Sequence, residues 1–194
     1  MIPVSVCVPL TRHEMFEKIN RPTIRGNDPA EVWISATDEH VCIKRNRMAQ
    51  RARQPFLFFC DDDIALEPNA LRMLLDALRE NPRAAYAYCD YKTVNHPTRG
   101  TRIYKSKPFD VDMLRFENYI STMSLIRAEA FVGFDETLDR YQDWDLWLAM
   151  AEAGHVGVYV PQVLFTAVYD EDGITQSDGV SEAMDVVKRK HGLR

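Results

Sequence analysis

Apolar residues change their period several times along this chain, and each change marks an element. Val4 to Val8 is a short β-branched run stopped by Pro9, which predicts a strand buried on both faces. Glu31 to Ser35 (EVWIS) predicts a second strand. Between them, Asn20 to Pro29 carries Pro22, Gly26, Asn27, Asp28 and Pro29, turn formers without helical periodicity, and reads as loop. From His40 to Arg53 polar residues gather around Val41, Met48, Ala49 and Ala52 before Pro55, the pattern of a basic surface helix capped by Thr37 or Asp38. Phe56 to Cys60 (FLFFC) is the strongest strand signal, and charge begins where it stops, at Asp61, Asp62 and Asp63.

After Pro68, Leu71, Leu74, Leu75 and Leu78 recur at i, i+3, i+4 and i+7, one face of a helix ending near Asn81-Pro82. Ala84 to Cys89 predicts a strand, His96 to Gly100 a turn-rich break, Ile120 to Ile126 a strand, and Arg127 to Val132 a short helix closed by Gly133. Asp143 to Ala153 has helical spacing with Gly154 as its stop. Val156 to Val160 and Val163 to Tyr169 read as strands around Pro161, Asp170 to Gly179 as an acidic loop, and Ser181 to His191 as a closing amphipathic helix. Strands and helices alternate early and mix later. That order predicts an α/β layer on a mainly parallel mixed sheet, with antiparallel pairing late. No repeat or linker divides the chain, so residues 1–194 are expected to form a single domain.

At 194 residues, with 46% hydrophobic and 27% charged positions, the chain has the composition of an ordinary globular domain. Roughly 70% of the unfolded chain's surface can be buried at this size, so neither metal nor disulfide is needed to hold the core. A net charge of −5 with scattered Lys and Arg gives no broad electrostatic footprint for nucleic acid. Cysteines 7, 42, 60 and 89 form no C-x-x-C pair and read as buried reduced thiols. No run approaches the roughly 18 apolar residues of a membrane span, and no signal-peptide pattern opens the chain. The expectation is a soluble protein of a reducing, cytoplasmic compartment.

Three groups of residues are candidates for chemistry. Asp61-Asp62-Asp63 stands at the carboxyl end of an apolar strand, the edge at which open α/β sheets collect ligands. Hard oxygen ligands there suit Mg²⁺ or Mn²⁺ shared with substrate phosphates, while a solvated acidic turn is the structural alternative. Gln142-Asp143-Trp144-Asp145-Leu146-Trp147 places carboxylates before a helix, as capping alone would, and the preceding Gly133-Phe134-Asp135-Glu136 turn brings another acidic segment to the same rim. Lys44-Arg45-Asn46-Arg47, with Arg51 and Arg53, is either a solvated face or the source of one arginine for a diphosphate. The five histidines show no metal-ligand spacing, and G-x-G-x-x-G, Walker and G-x-S-x-G patterns are missing.

In order and spacing these segments resemble the family 2 glycosyltransferases of the GT-A fold along most of the chain. Val4-Ser5-Val6-Cys7-Val8-Pro9 is similar to that family's opening strand, Glu31-Val32-Trp33-Ile34 to its second, and Lys44-Arg45-Asn46-Arg47 to its Arg-Asn helix. Phe56 to Asp63 resembles the strand ending in the D-x-D motif. Ser124 to Arg127, Val132 to Glu136 and Gln142 to Leu148 resemble the acceptor-side segment. The resemblance implies a nucleotide-diphosphate sugar donor, Mn²⁺ or Mg²⁺, and transfer with inversion to an acceptor hydroxyl on a glycan, lipid-linked precursor, protein or modified nucleic acid. Residues 1 to about 90 would form the donor half and 91–194 the acceptor half. By that analogy Asp61 faces the ribose or the metal, Asp63 holds the cation, Asp143 is the general base, and Pro9, Asp38, Arg45 and Asp62 join Asp61 around the donor.

Several positions depart from the family pattern. The second strand ends Ser35-Ala36-Thr37-Asp38 rather than in two aspartates, the first is followed by Pro9-Leu10-Thr11-Arg12, Gln142 replaces a glutamate, and Tyr169 to Ser177 contains no histidine. These bear on donor identity more than on reaction type. A nucleotidyltransferase using the same acidic metal site, and a non-catalytic nucleotide-sugar-binding module, are the alternative readings.

Overall fold

The computed structural model describes residues 1–96, 100–168 and 180–193. One mixed sheet organises them, in the order β2-β1-β3-β7-β5-β8-β4, with β6 paired to β5. The strands are β1 (Ile2–Pro9), β2 (Pro29–Ser35), β3 (Phe56–Phe59), β4 (Ile64–Leu66), β5 (Ala84–His96), β6 (Gly100–Tyr104), β7 (Leu125–Arg127) and β8 (Val156–Val168). β1 runs parallel to both β2 and β3, and β5 parallel to β8. The pairings β3·β7, β5·β7, β4·β8 and β5·β6 are antiparallel. Among the described residues the longest pairings, β5 with β8 and β1 with β2, are parallel and the antiparallel ones are short, as the alternation predicts.

β1 lies between two strands and is buried along almost its whole length, as its unbroken apolar run requires. Its pleat divides the core in two. Val4, Val6 and Val8 turn to one face with Phe58 and the leucines of α4 (Ala70–Glu80). Cys7, Leu57 and Phe59 turn to the other, where α3 (Val41–Arg51) and α6 (Gln142–Glu152) lie, Trp144 and Trp147 filling the space beside Val187 of α7 (Val180–Lys190). Leu71, Leu74, Leu75 and Leu78 are all at most 1% exposed, and each such burial contributes about 1.5–3 kcal/mol. Gly157 of β8 is needed for this packing. A Cβ there would stand 2.5 Å from the ring of Tyr86, which stacks on Trp147 at 4.5 Å and so helps seat α6.

The Asn20–Pro29 expectation is overturned. Residues 13 to 26 form a continuous helical stretch: α1 (His13–Met15), a π-helical turn (Phe16–Asn20) and α2 (Arg21–Gly26). Pro22 follows directly on the π-helical turn, as the second residue of α2, and Asn20 and Asn27 are held by partners far along the chain. The cap of α3 is His40, whose Nδ1 accepts from the Cys42 amide, rather than Thr37 or Asp38. Ile120 to Ile126 shortens to β7, and the helix after it to a single 3-10 turn (Ala128–Ala130) that the positive φ of Gly133 follows. β5 extends beyond Cys89 to pair with β6, which, like α5 (Val111–Phe116), has no periodic signal. β8 is one strand with a register shift near Pro161. The acidic loop read over Asp170 to Gly179 lies outside the described residues. All four cysteines are free and buried, and burial pushes the Cys7, Cys42 and Cys89 thiols up to about 12. Among the described residues no helix is long and apolar enough to cross a membrane.

Candidate active site

The site grows from the carboxyl ends of β1 and β3. The Cys60 amide donates to Cys7 O and the Leu10 amide to Ser35 O, so the chain leaves β3 and β1 at the same sheet edge, beside β2. Pro9 ends β1 in register with Ser35, and Asp38 is exposed in the connection that follows β2. The three aspartates after β3 then separate into distinct environments.

Asp62 turns inward, with a side chain only 1% exposed. One of its oxygens accepts from the Thr11 amide (2.7 Å), the Thr11 hydroxyl (2.9 Å) and the Arg12 amide (2.8 Å). The other accepts from Arg12 Nε (2.9 Å) and from an Arg12 terminal nitrogen (2.5 Å). Burial alone would raise its pKa, but these amides and the guanidinium hold the carboxyl below the usual range. The donor-contact expectation for Asp62 does not fit this placement: it fastens the β1–α1 connection to the end of β3. The Thr11-Arg12 departure from the family pattern is thereby the matching half of an internal brace.

Asp61 and Asp63 are the two that reach the surface, at 32% and 23% side-chain exposure. A terminal nitrogen of Arg45 pairs with Asp61 at 2.5 Å, and Arg12 approaches Asp63 at 3.2 Å. Burial, then the like charge of Asp61, pushes Asp63 up to about 6 despite Arg12. Two hard oxygen donors under mutual repulsion fit a divalent cation, which would relieve that repulsion. No group of three or more His, Cys, Asp or Glu forms a complete cage among the described residues, so substrate oxygens and water would supply the remaining ligands.

Arg45 is not on a solvated face. It and Lys44 are each 4% exposed, with Lys44 Nζ donating to Leu10 O and the Arg45 guanidinium lying 5.2 Å over the Phe134 ring. Arg45 Nε is buried without a hydrogen-bond partner, and the charge of Arg45 acts on Asp143 as well as on Asp61. Asn46 ties α3 to the loop before α6: its side chain accepts from the Phe134 amide at 2.8 Å and donates to Phe134 O at 2.9 Å.

Asp143 occupies the first turn of α6, partly buried. Its Oδ1 accepts from Asn118 Nδ2 at 3.0 Å and from the Trp144 amide at 2.8 Å. Burial raises its pKa, opposed by Asn118 and Arg45. A carboxylate of raised proton affinity near the sheet edge suits a general base. Of the residues the sequence nominates, Arg45 pairs with Asp61, Asp63 follows two residues on, Asp143 lies in the first turn of α6, and Asp38 is exposed in the connection after β2. The sequence misses Arg12, Thr11 and Asn118. Only the charge of Arg12 beside a strand end was a usable signal; Asn118 sits in a segment without periodicity.

With that geometry in hand, similarity to known proteins gives the class. A model of the glycosyl transferase family 2 matches residues 18–133, more than half of the chain, and the protein belongs to that family. The match ends short of Asp143. No curated protein sequence matches the chain. Among solved structures, the crystal structure of S. aureus TarS 1-349 superposes with a TM-score of 0.72 at 14% identity, covering 98% of this chain and 65% of that one. The same TarS segment in complex with UDP-GlcNAc gives 0.70 at 14% identity, with 98% and 66% coverage. Its complex with UDP gives 0.71 at 14%, with 98% and 65%. The fold is that of the GT-A glycosyltransferases, and the chain spans about 65% of the TarS segment's length.

Proposed function

We propose that this protein transfers a sugar from a nucleotide-diphosphate donor to an acceptor hydroxyl, with inversion at the anomeric carbon. The observation that carries the reading is the shared edge of β1 and β3, where Arg45 pairs with Asp61 at 2.5 Å and Asp63 stands two residues on. Residues 1–90 form the donor half and 91–194 the acceptor half of one unit. Binding of UDP-GlcNAc and UDP by TarS supports a nucleotide-sugar donor; Pro9 and Asp38 would lie beside its nucleoside. Arg45 would meet the diphosphate, and Asp61 and Asp63 would hold Mn²⁺ or Mg²⁺ against it. The cation, when bound, offsets the charge that grows on the leaving nucleoside diphosphate. Asp143 takes the proton of the acceptor hydroxyl as its oxygen bonds to the anomeric carbon and the carbon–phosphate oxygen bond breaks. One displacement from the opposite face inverts the centre. Four buried free thiols support a reducing, cytoplasmic setting.

Calorimetric titration of UDP and of UDP-sugars, with and without Mn²⁺, tests the donor site. Asp63→Asn should fold normally, because the side chain is partly exposed and a neutral amide relieves its repulsion with Asp61. Its Mn²⁺-dependent increment in donor affinity should vanish. An increment equal to that of the parent would remove Asp63 from the metal site.

A further inference from the structure

α6 begins without a side-chain cap: Tyr141 stands at its N-cap with φ +56° and makes no capping hydrogen bond. The turn that presents Asp143 therefore needs support from elsewhere, and α7 is placed to give it. Asp145 is two residues beyond Asp143, about 200° around the helix, so the two carboxylates point apart. Asp145 is only 2% exposed, and its Oδ1 meets His191 Nε2 at 2.9 Å and Lys190 Nζ at 2.7 Å. His191, 3% exposed, also meets Glu152 Oε1 through Nδ1 at 2.8 Å. Asp145 and Glu152 are seven residues apart, two turns on one face, so a single imidazole grips α6 at both ends.

Lys190 extends the grip to the loop before α6. Its Nζ lies 2.6 Å from Asp135 Oδ2, while Asp135 Oδ1 accepts from the Thr137 amide and hydroxyl. The loop is fixed on its other side by Asn46 of α3, through Phe134 and through Glu136 Oε1. Beneath this polar layer Val187 is fully buried in the same apolar cluster as Trp144 and Trp147. Lys190 thus bridges the two segments that flank Tyr141.

From this geometry we infer that Lys190 and His191 are positioning residues: docked α7 is a latch that fixes the first turn of α6 and, through it, the direction of the Asp143 carboxylate. The inference rests on Asp143 being the base. A misplacement of about 1 Å at a reacting group can cost on the order of 10²-fold in rate, so the latch belongs to the activity although neither residue touches substrate.

Nuclear magnetic resonance on the full chain tests this independently of any acceptor. The Trp144 backbone amide and the Asn118 side-chain amide both donate to Asp143 Oδ1 and report its position. In His191→Ala and in Lys190→Met both signals should move, and the Trp144 amide should exchange with solvent at least about tenfold faster. His191→Gln, which keeps a donor toward Asp145, should restore them. Leu78→Ala, a cavity on the opposite face of the sheet, serves as a control of matched melting temperature and should leave both signals in place. Unchanged signals in His191→Ala and Lys190→Met, or equal changes in Leu78→Ala, would overturn the latch. Donor turnover by Asp143→Asn separates the two failures. Parent-like turnover there overturns the base assignment, whereas its loss with unmoved signals in the α7 variants overturns the latch alone.

Discussion

Asp143→Asn is expected to lose about 10²–10⁴-fold in turnover while melting at or slightly above the temperature of the parent. The stability half of this expectation follows from the hydrogen bonds. Asn118 and the Trp144 amide both donate to Oδ1, and an asparagine oxygen can accept both. Burial raises the proton affinity of Asp143 in the fold, so at neutral pH its charge is a cost that the neutral amide avoids. The catalytic half follows because an amide cannot take a proton from a hydroxyl. The same raised proton affinity places the acidic limb of the parent's rate above the ordinary carboxylate range: activity falls as pH drops through the raised pKa and Asp143 protonates. Release of nucleoside diphosphate measured against pH, beside a melting curve, checks both halves. Asp145→Asn should instead lose stability, since its carboxylate is buried among Lys190 and His191.

Asp62→Ala should show the opposite division, unfolding about 3–5 kcal/mol more easily. The substitution removes the acceptor for the Thr11 and Arg12 amides, the Thr11 hydroxyl and the Arg12 guanidinium at one stroke. Because the carboxyl is held below its usual range in the fold, its contribution is fully present at neutral pH and is lost as pH falls through that depressed value. Denaturant unfolding of Asp62→Ala and Asp63→Asn side by side is the measurement. Adjacent aspartates that lose stability equally would contradict the inward brace.

Adjacency is also what hid this difference in the sequence. The apolar run Phe56 to Cys60 locates a strand end and its acidic triplet, because β3 is buried between β1 and β7 and has no polar face to blur the signal. Which of three consecutive carboxylates turns inward depends on Thr11 and Arg12, some fifty residues away, and no local pattern carries that. α4 was legible from its leucine spacing for the same reason that β3 was. The helical stretch over residues 13–26 was not, since Pro22, Gly26 and the following Asn27 read as turn formers until the distant partners that hold Asn20 and Asn27 are known. Asn27 accepts from the Leu71 amide at the start of α4, and Asn20 donates to Asp61 O and Ile64 O. The basic run of α3 likewise reads as solvated until Leu10 O and Asp61 are placed against Lys44 and Arg45.

Separating products from a panel of nucleotide sugars and nucleoside triphosphates, each incubated with Mn²⁺, tests the central claim most directly. A glycosyltransferase of this design releases a free nucleoside diphosphate from at least one nucleotide sugar, water taking the sugar where no other acceptor hydroxyl is supplied, and no pyrophosphate from any triphosphate. Pyrophosphate release would mean that the acidic edge serves attack at phosphorus, and donor binding without diphosphate release from any sugar nucleotide would mean a binding module. Either result would contradict sugar transfer at the β1/β3 edge.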